Sequence, residues 1–136
     1  MVYLTRVEGF NAAHKLYNPN WSKDKNWEVF GKCSNENWHG HNYKLEVTVK
    51  GKINPETGYF INAKELSAII KKHITEKLDH RNLNIDIDWI DKNMPTTENI
   101  IVAMWQRLLP ALPEGCILHK LKLIETPSIF VEYYGD

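Results

Sequence analysis

With 136 residues, the chain has the length of one domain and enough material to bury a core. Its 17 basic residues balance 17 acidic ones, which excludes a nucleic-acid backbone or an anionic membrane surface as the expected partner. No stretch approaches the about 20 apolar residues that a membrane-spanning helix needs. The N-terminal residues do not read as an export signal, and the two cysteines then read as free thiols in a reducing compartment, so a cytoplasmic protein is expected. A formal charge of zero disfavours a lone monomer and points to an oligomer.

The pattern from Tyr3 to Leu16 predicts a strand with Phe10, Ala12 and His14 on one face. Tyr17 to Lys32 is polar and reads as a long loop containing at most a short helix. From His41 the alternation places Tyr43, Leu45, Val47 and Val49 on one face and Lys44, Glu46, Thr48 and Lys50 on the other, the pattern of a half-buried antiparallel strand. Asn54-Pro55-Glu56-Thr57-Gly58 is a turn, with Tyr59-Phe60-Ile61 returning as a strand. Asn62 and Glu65 form a capping box for a helix to about Leu78, with Leu66, Ile69, Ile70, Ile74 and Leu78 as its apolar stripe. A second helix starts at Pro95-Thr96-Thr97-Glu98-Asn99 and stops at Pro110. Strands over Ile117–Glu125 and Ile129–Tyr134 close the chain. The expectation is an α+β fold of order ββααββ, a four-stranded antiparallel sheet with two helices on one face, built as a single domain over residues 1–136.

The segment from Cys33 to His41 carries the clearest chemistry. His39 and His41 are two apart, so in an extended strand both rings leave the same, covered face. Gly40 between them has no side chain to crowd a shared ligand. His14 occupies the corresponding face of the first strand and reaches the pair if the two strands form a hairpin. Three histidines with an open fourth position are the donor set of a catalytic zinc. Cys33 lies in a polar context next to Lys32, where a thiolate is favoured. Cys116, at the head of an apolar strand, reads as a core residue. Asp79-His80 falls in a loop, either as a helix-terminal histidine or as a carboxylate-oriented proton shuttle. Glu125 shares a face with Ile117, Leu121 and Leu123, where a carboxylate needs a partner such as a ligand bearing N–H donors. Thr96, Thr97 and Glu98 fit a helix cap and first-turn acid, with a ligand role secondary. His73 reads as a core-edge residue.

The segments Phe10-Asn11-Ala12-Ala13-His14, Phe30-Gly31-Lys32-Cys33, His39-Gly40-His41-Asn42-Tyr43, Leu78-Asp79-His80-Arg81-Asn82-Leu83-Asn84, Pro95-Thr96-Thr97-Glu98-Asn99 and Glu125-Thr126 together resemble the 6-pyruvoyl-tetrahydropterin synthase family. That family includes the 6-carboxytetrahydropterin synthases of queuosine biosynthesis. The resemblance implies zinc at His14, His39 and His41, a proton-transfer set of Cys33, Asp79 and His80, and a pterin anchor at Glu125, with Thr96, Thr97 and Glu98 lining the pterin pocket. It also implies the tunnelling fold, in which trimers close a barrel and two trimers stack into a hexamer. The implied reaction is zinc-dependent conversion of 7,8-dihydroneopterin triphosphate to 6-pyruvoyl-tetrahydropterin with loss of triphosphate. The alternatives are the carboxy-forming reaction, which releases acetaldehyde as well, and a non-catalytic zinc- or pterin-binding hexamer. Five residues separate Cys33 from His39, which favours the pyruvoyl branch. Trp38 departs from the family pattern, in which glycine often precedes the His-Gly-His.

Overall fold

The computed structural model describes residues 1–136. Strands β1 (Val2–His14) and β2 (His39–Gly51) are the frame of the molecule: they pair antiparallel along their whole length, from Val2 opposite Gly51 to His14 opposite His39. β-branched and aromatic residues at alternate positions suit this pairing. Phe10, Ala12, Tyr43, Leu45, Val47 and Val49 all lie buried on one face. Helix α1 (Lys23–Phe30) fills the long loop between the two strands, capped by Ser22, whose hydroxyl accepts from the Lys25 N–H. Asn26 is the buried residue of this helix, and its side chain binds the backbone of Asn18 and Ser22.

Helix α2 (Ala63–Ile70) runs on through a π-helical turn, Lys71–Thr75, to Leu78. Asn62 caps it by accepting from the Lys64 N–H; Glu65 does not complete the expected capping box. Leu66, Ile70, Ile74 and Leu78 are wholly buried, each adding about 1.5–3 kcal/mol of apolar burial. Arg107 Nε donates to the His73 carbonyl at 2.7 Å, which satisfies an acceptor in the π turn. His73 itself is a partly exposed edge residue. Strand β3 (Arg81–Asn82) follows and pairs parallel to Ala12 and Ala13. Helix α3 (Thr97–Leu108) is capped by Thr96, whose hydroxyl accepts from the Asn99 N–H. Strands β4 (Ile117–Thr126) and β5 (Ile129–Tyr133) complete a sheet of order β3-β1-β2-β4-β5. None of the helices is long and apolar enough to cross a membrane.

The sheet therefore has five strands, is mixed rather than purely antiparallel, and is accompanied by three helices. Three departures from expectation have local causes. The extra strand β3 is two residues long, too short to leave a periodic signal. Tyr59-Phe60-Ile61 forms no strand; Ile61 is buried and the Phe60 ring sits where a Cβ on Gly51 would stand, so the segment packs on the strand end instead of pairing. In β4 the register slips between Thr48 and Val49 of its neighbour, leaving His119 as the extra residue. This bulge reverses the alternation. Leu118 is buried and Ile117 is exposed, so Ile117 and His119 do not share the face of Glu125, whereas Leu121 and Leu123 do.

Candidate active site

His14 and His39 are a directly opposed pair at the end of the β1–β2 ladder, and His41 lies two residues further in on the same face. The ring centroids are 4.6 Å apart for His14 and His39, 5.2 Å for His14 and His41, and 4.9 Å for His39 and His41. One ring nitrogen from each lies within 4.8 Å of the others. Gly40 keeps the ladder tight, since a Cβ there would stand 3.3 Å from the Ala12 carbonyl oxygen. His14 is 1% exposed, and its Nδ1–H donates to the Pro95 carbonyl at 2.8 Å. This bond fixes the tautomer and leaves Nε2 as a lone-pair donor. Burial pushes the His14 imidazole down to about 4, with its two histidine neighbours adding to the effect. Burial also lowers His39. Neutral imidazoles are the ligand form. His39 Nδ1 and His41 Nε2 are buried with no hydrogen-bond partner, a state that costs about 1–3 kcal/mol each unless something binds there. The donor chemistry and the unpartnered nitrogens fit a metal with three protein ligands.

Glu125, the penultimate residue of β4, faces the same space. One carboxylate oxygen lies 3.2 Å from His41 Nε2 and 3.5 Å from His14 Nε2. His14 Nε2 carries a lone pair, so acceptor faces acceptor there, and the His41 approach is not aligned as a hydrogen bond. A carboxylate with no donor of its own, set against the His14 lone pair and the unpartnered His41 nitrogen, marks a place made for a ligand. Tyr43 completes the wall: its hydroxyl is 3.5 Å from His14 Nε2, and burial, then the Glu125 charge, hold it well above the ordinary phenol range.

Cys33 sits in a single 3₁₀ turn, Gly31–Ser34, partly exposed, with its carbonyl accepting from the Leu16 N–H. It is not part of the histidine cluster. Asp79 and His80 lie beyond the other edge of β1. Asp79 Oδ1 accepts from the Asn11 N–H at 2.8 Å and Oδ2 is 2.9 Å from His80 Nδ1. These two bonds, the first foremost, hold the Asp79 carboxyl below its usual range. The His80 N–H donates to the Asn11 carbonyl, and His80 takes a φ of 58°, a left-handed conformation uncommon for a residue with a Cβ. Its side chain is 82% exposed. Asp79 therefore orients His80 directly, although neither touches the three histidines within this chain. Burial pushes the Cys116 thiol up to about 11, as expected for an inert core residue.

The family model described as 6-pyruvoyl tetrahydropterin synthase matches residues 3–136. The chain belongs to that family. It is 43% identical over 133 residues to a 6-pyruvoyl tetrahydrobiopterin synthase of Pongo abelii, covering 98% of this chain and 91% of the relative. A protein of the same name from Dictyostelium discoideum is 41% identical over 135 residues, covering 99% and 97%. The solved structure of Caenorhabditis elegans 6-pyruvoyl tetrahydropterin synthase superposes with a TM-score of 0.91 at 33% identity, covering 99% of this chain and 96% of that one.

Measured against the family's pattern, this synthase-family chain brings His14, His39, His41 and Glu125 into one pocket. Cys33 and the Asp79–His80 pair stand apart from it on short elements. Thr96 spends its hydroxyl on the α3 cap, Thr97 is buried beside it, and Glu98 is exposed on the first turn. Two participants were missed in the sequence. Tyr43 could have been found, because it continues the two-residue period of His39 and His41. The Pro95 carbonyl could not, since no side-chain pattern marks a backbone acceptor 81 residues from its histidine.

Proposed function

We propose that this chain is a zinc-dependent lyase that converts 7,8-dihydroneopterin triphosphate to 6-pyruvoyl-tetrahydropterin with loss of triphosphate. The observation that carries the reading is the pocket itself: three clustered histidines at one strand end, facing a carboxylate that has no donor of its own. Its relatives named for the pyruvoyl reaction add support.

His14, His39 and His41 hold the zinc, with the His14 ring set by the Pro95 carbonyl. When bound, zinc supplies Lewis-acid polarisation of the substrate's side-chain hydroxyls, which makes the neighbouring C–H acidic. Glu125 accepts from the 2-amino and ring N–H groups of the pterin, whose donors fill the vacancy on this carboxylate. Cys33 as thiolate takes the side-chain proton. His80, oriented by Asp79 at 2.9 Å, returns protons to the other side of the substrate. Thr96, Thr97 and Glu98 lie at the start of α3, next to the Pro95 that braces His14; the family resemblance supports a place for them at the pocket wall, with the Thr96 hydroxyl engaged in the helix cap. The elimination of triphosphate and the rearrangement of the side chain are internally redox-balanced, so no external electron carrier is required. The acting form is a hexamer of two stacked trimers, a proposal that rests on the family resemblance, and it works in the cytoplasm, a proposal that rests on the two free cysteines.

The test is to incubate the purified, zinc-loaded protein with 7,8-dihydroneopterin triphosphate and identify the products by mass spectrometry. The expected products are 6-pyruvoyl-tetrahydropterin and triphosphate. Acetaldehyde with a 6-carboxypterin would replace this reading by the carboxy-forming reaction, and no turnover would leave a binding protein.

A further inference from the structure

The β1–β2 ladder ends at His14 opposite His39, so the next residues outward on the two strands are Lys15 and Trp38. Glu125 stands at the opposite end of the site. Ile124 pairs with Lys44, which puts Glu125 level with Tyr43. Along β2 Tyr43, His41 and His39 then follow one another on one face, with Trp38 just beyond the first residue of the strand, a run of roughly 16 Å at the usual rise of a strand.

Lys15 is held in place at this outer end. Its N–H donates to Asn84 Oδ1 at 2.9 Å and its carbonyl accepts from Asn84 Nδ2 at 3.0 Å. Its ammonium lies 4.6 Å from the centroid of the Trp38 ring and 5.8 Å from that of Tyr17. Aromatic faces position a cation without neutralising it. No carboxylate forms an ion pair with Lys15. It opens onto a cleft of about 590 Å³ that Tyr17, Lys23 and Trp27 also line, with Asp24 and Glu36 on its walls.

Trp38 is an unfavourable residue for its backbone. Its φ of 62° lies in the left-handed region, where glycine is at ease and a bulky side chain is strained. Its indole N–H is buried without an acceptor. A glycine would remove both penalties. What the tryptophan contributes against them is the ring beneath the Lys15 ammonium.

We infer that Lys15, seated on Trp38, is the subsite for the polyphosphate tail of the substrate and selects a polyphosphate over a single phosphate. The inference rests on the pterin reading above, which sets the ring end of the site at Glu125. A molecule with its ring there and its side-chain hydroxyls at the histidines carries its phosphates outward onto Lys15. The extended tail enters the cleft toward Lys23, beyond the reach of a single phosphate. Asp24 and Glu36 oppose the same anion, so the released tail is bound and not trapped. Lys15 is the binding group, and Trp38 is a positioning residue that acts through it.

The test is calorimetric titration of the zinc-loaded protein with inorganic tripolyphosphate and, separately, orthophosphate. Zinc content is measured before and after, so that extraction of metal is not read as binding. Tripolyphosphate is expected to bind more tightly than orthophosphate. Lys15→Met should weaken tripolyphosphate about ten- to a hundredfold, the loss of one charge-assisted contact. Trp38→Phe keeps a ring face and should stay within about threefold, whereas Trp38→Gly, which suits the backbone and leaves the fold intact, should weaken binding about three- to thirtyfold. Unchanged affinity in Lys15→Met, or equal affinity for the two anions, overturns the subsite. Unchanged affinity in Trp38→Gly overturns the role of the tryptophan. Lysine-dependent tripolyphosphate binding without turnover of the pterin substrate would keep the anion subsite and remove the pterin reading. Turnover with tripolyphosphate binding indifferent to Lys15 would do the reverse.

Discussion

The two groups of residues assigned to chemistry sit on very different supports. His14, His39, His41 and Glu125 stand on strands of ten or more residues, and the positions of the three histidines follow from an unbroken ladder and a shared covered face. Cys33 stands on a four-residue 3₁₀ turn and His80 on a left-handed residue next to a two-residue strand, with its side chain largely in solvent. Long ladders hold ligand atoms at separations that a metal demands, because register, once set, leaves little freedom. Short, exposed elements tolerate movement, which suits groups that exchange protons and suits less well groups that must hold a cation. The Asp79 bond and the two bonds to the Asn11 backbone are what tie His80 to β1.

The largest expected effect strikes the rigid corner. His39→Ala should remove most of the zinc and lower turnover by more than the about 10–100-fold typical of losing a ligand's supporting contact. Metal analysis alongside the activity assay checks it, and full zinc occupancy in the variant would dissolve the contrast between the two groups. Next comes the group on short elements. Cys33→Ala should keep its zinc and its fold and lose about 10²–10⁴-fold in turnover, as read by steady-state kinetics and circular dichroism. Cys116→Ala serves as the control, with activity near that of the parent; an equal loss there would mean that the reactive thiol is the buried one.

Glu125→Gln tests whether the carboxylate in the rigid corner serves a ligand or the fold. Loss of a charge-assisted bond should weaken pterin affinity by about 1.5–3 kcal/mol, measured by titration with biopterin. Thermal stability should change little or rise, because an unpaired acid is removed from a covered position. The opposite pattern, intact affinity with a large drop in stability, would make Glu125 structural. The smallest effect is expected at Thr96. Thr96→Ala removes the α3 cap and should lower stability by about 1 kcal/mol, seen in denaturant unfolding, with pterin affinity lowered no further than that loss explains. A larger fall in affinity would bring the threonine into the pocket as a ligand contact.

The amino-acid sequence by itself determined which residues share a face and therefore which could meet. A period of two puts His39, His41 and Tyr43 together, and the same rule puts His14 with Phe10 and Ala12, because side chains on a strand have only two directions. It also determined α3, where Thr96, the first-turn acid and the terminal proline act over short distances. The tertiary structure alone decided whatever depends on register between distant segments. His14 meets His39 because the whole ladder is in step, and the bulge at His119 moves Leu118 inward and Ile117 out, against simple alternation. β3 exists only because Arg81 and Asn82 find the free edge of β1; two residues have no period of their own. The same holds for the Pro95 carbonyl behind His14 and for Lys15 on Trp38. Periodicity is a property of one segment, whereas a backbone acceptor, a bulge and a cation over a ring are meetings of two, and their partners become known only when the chain has closed on itself.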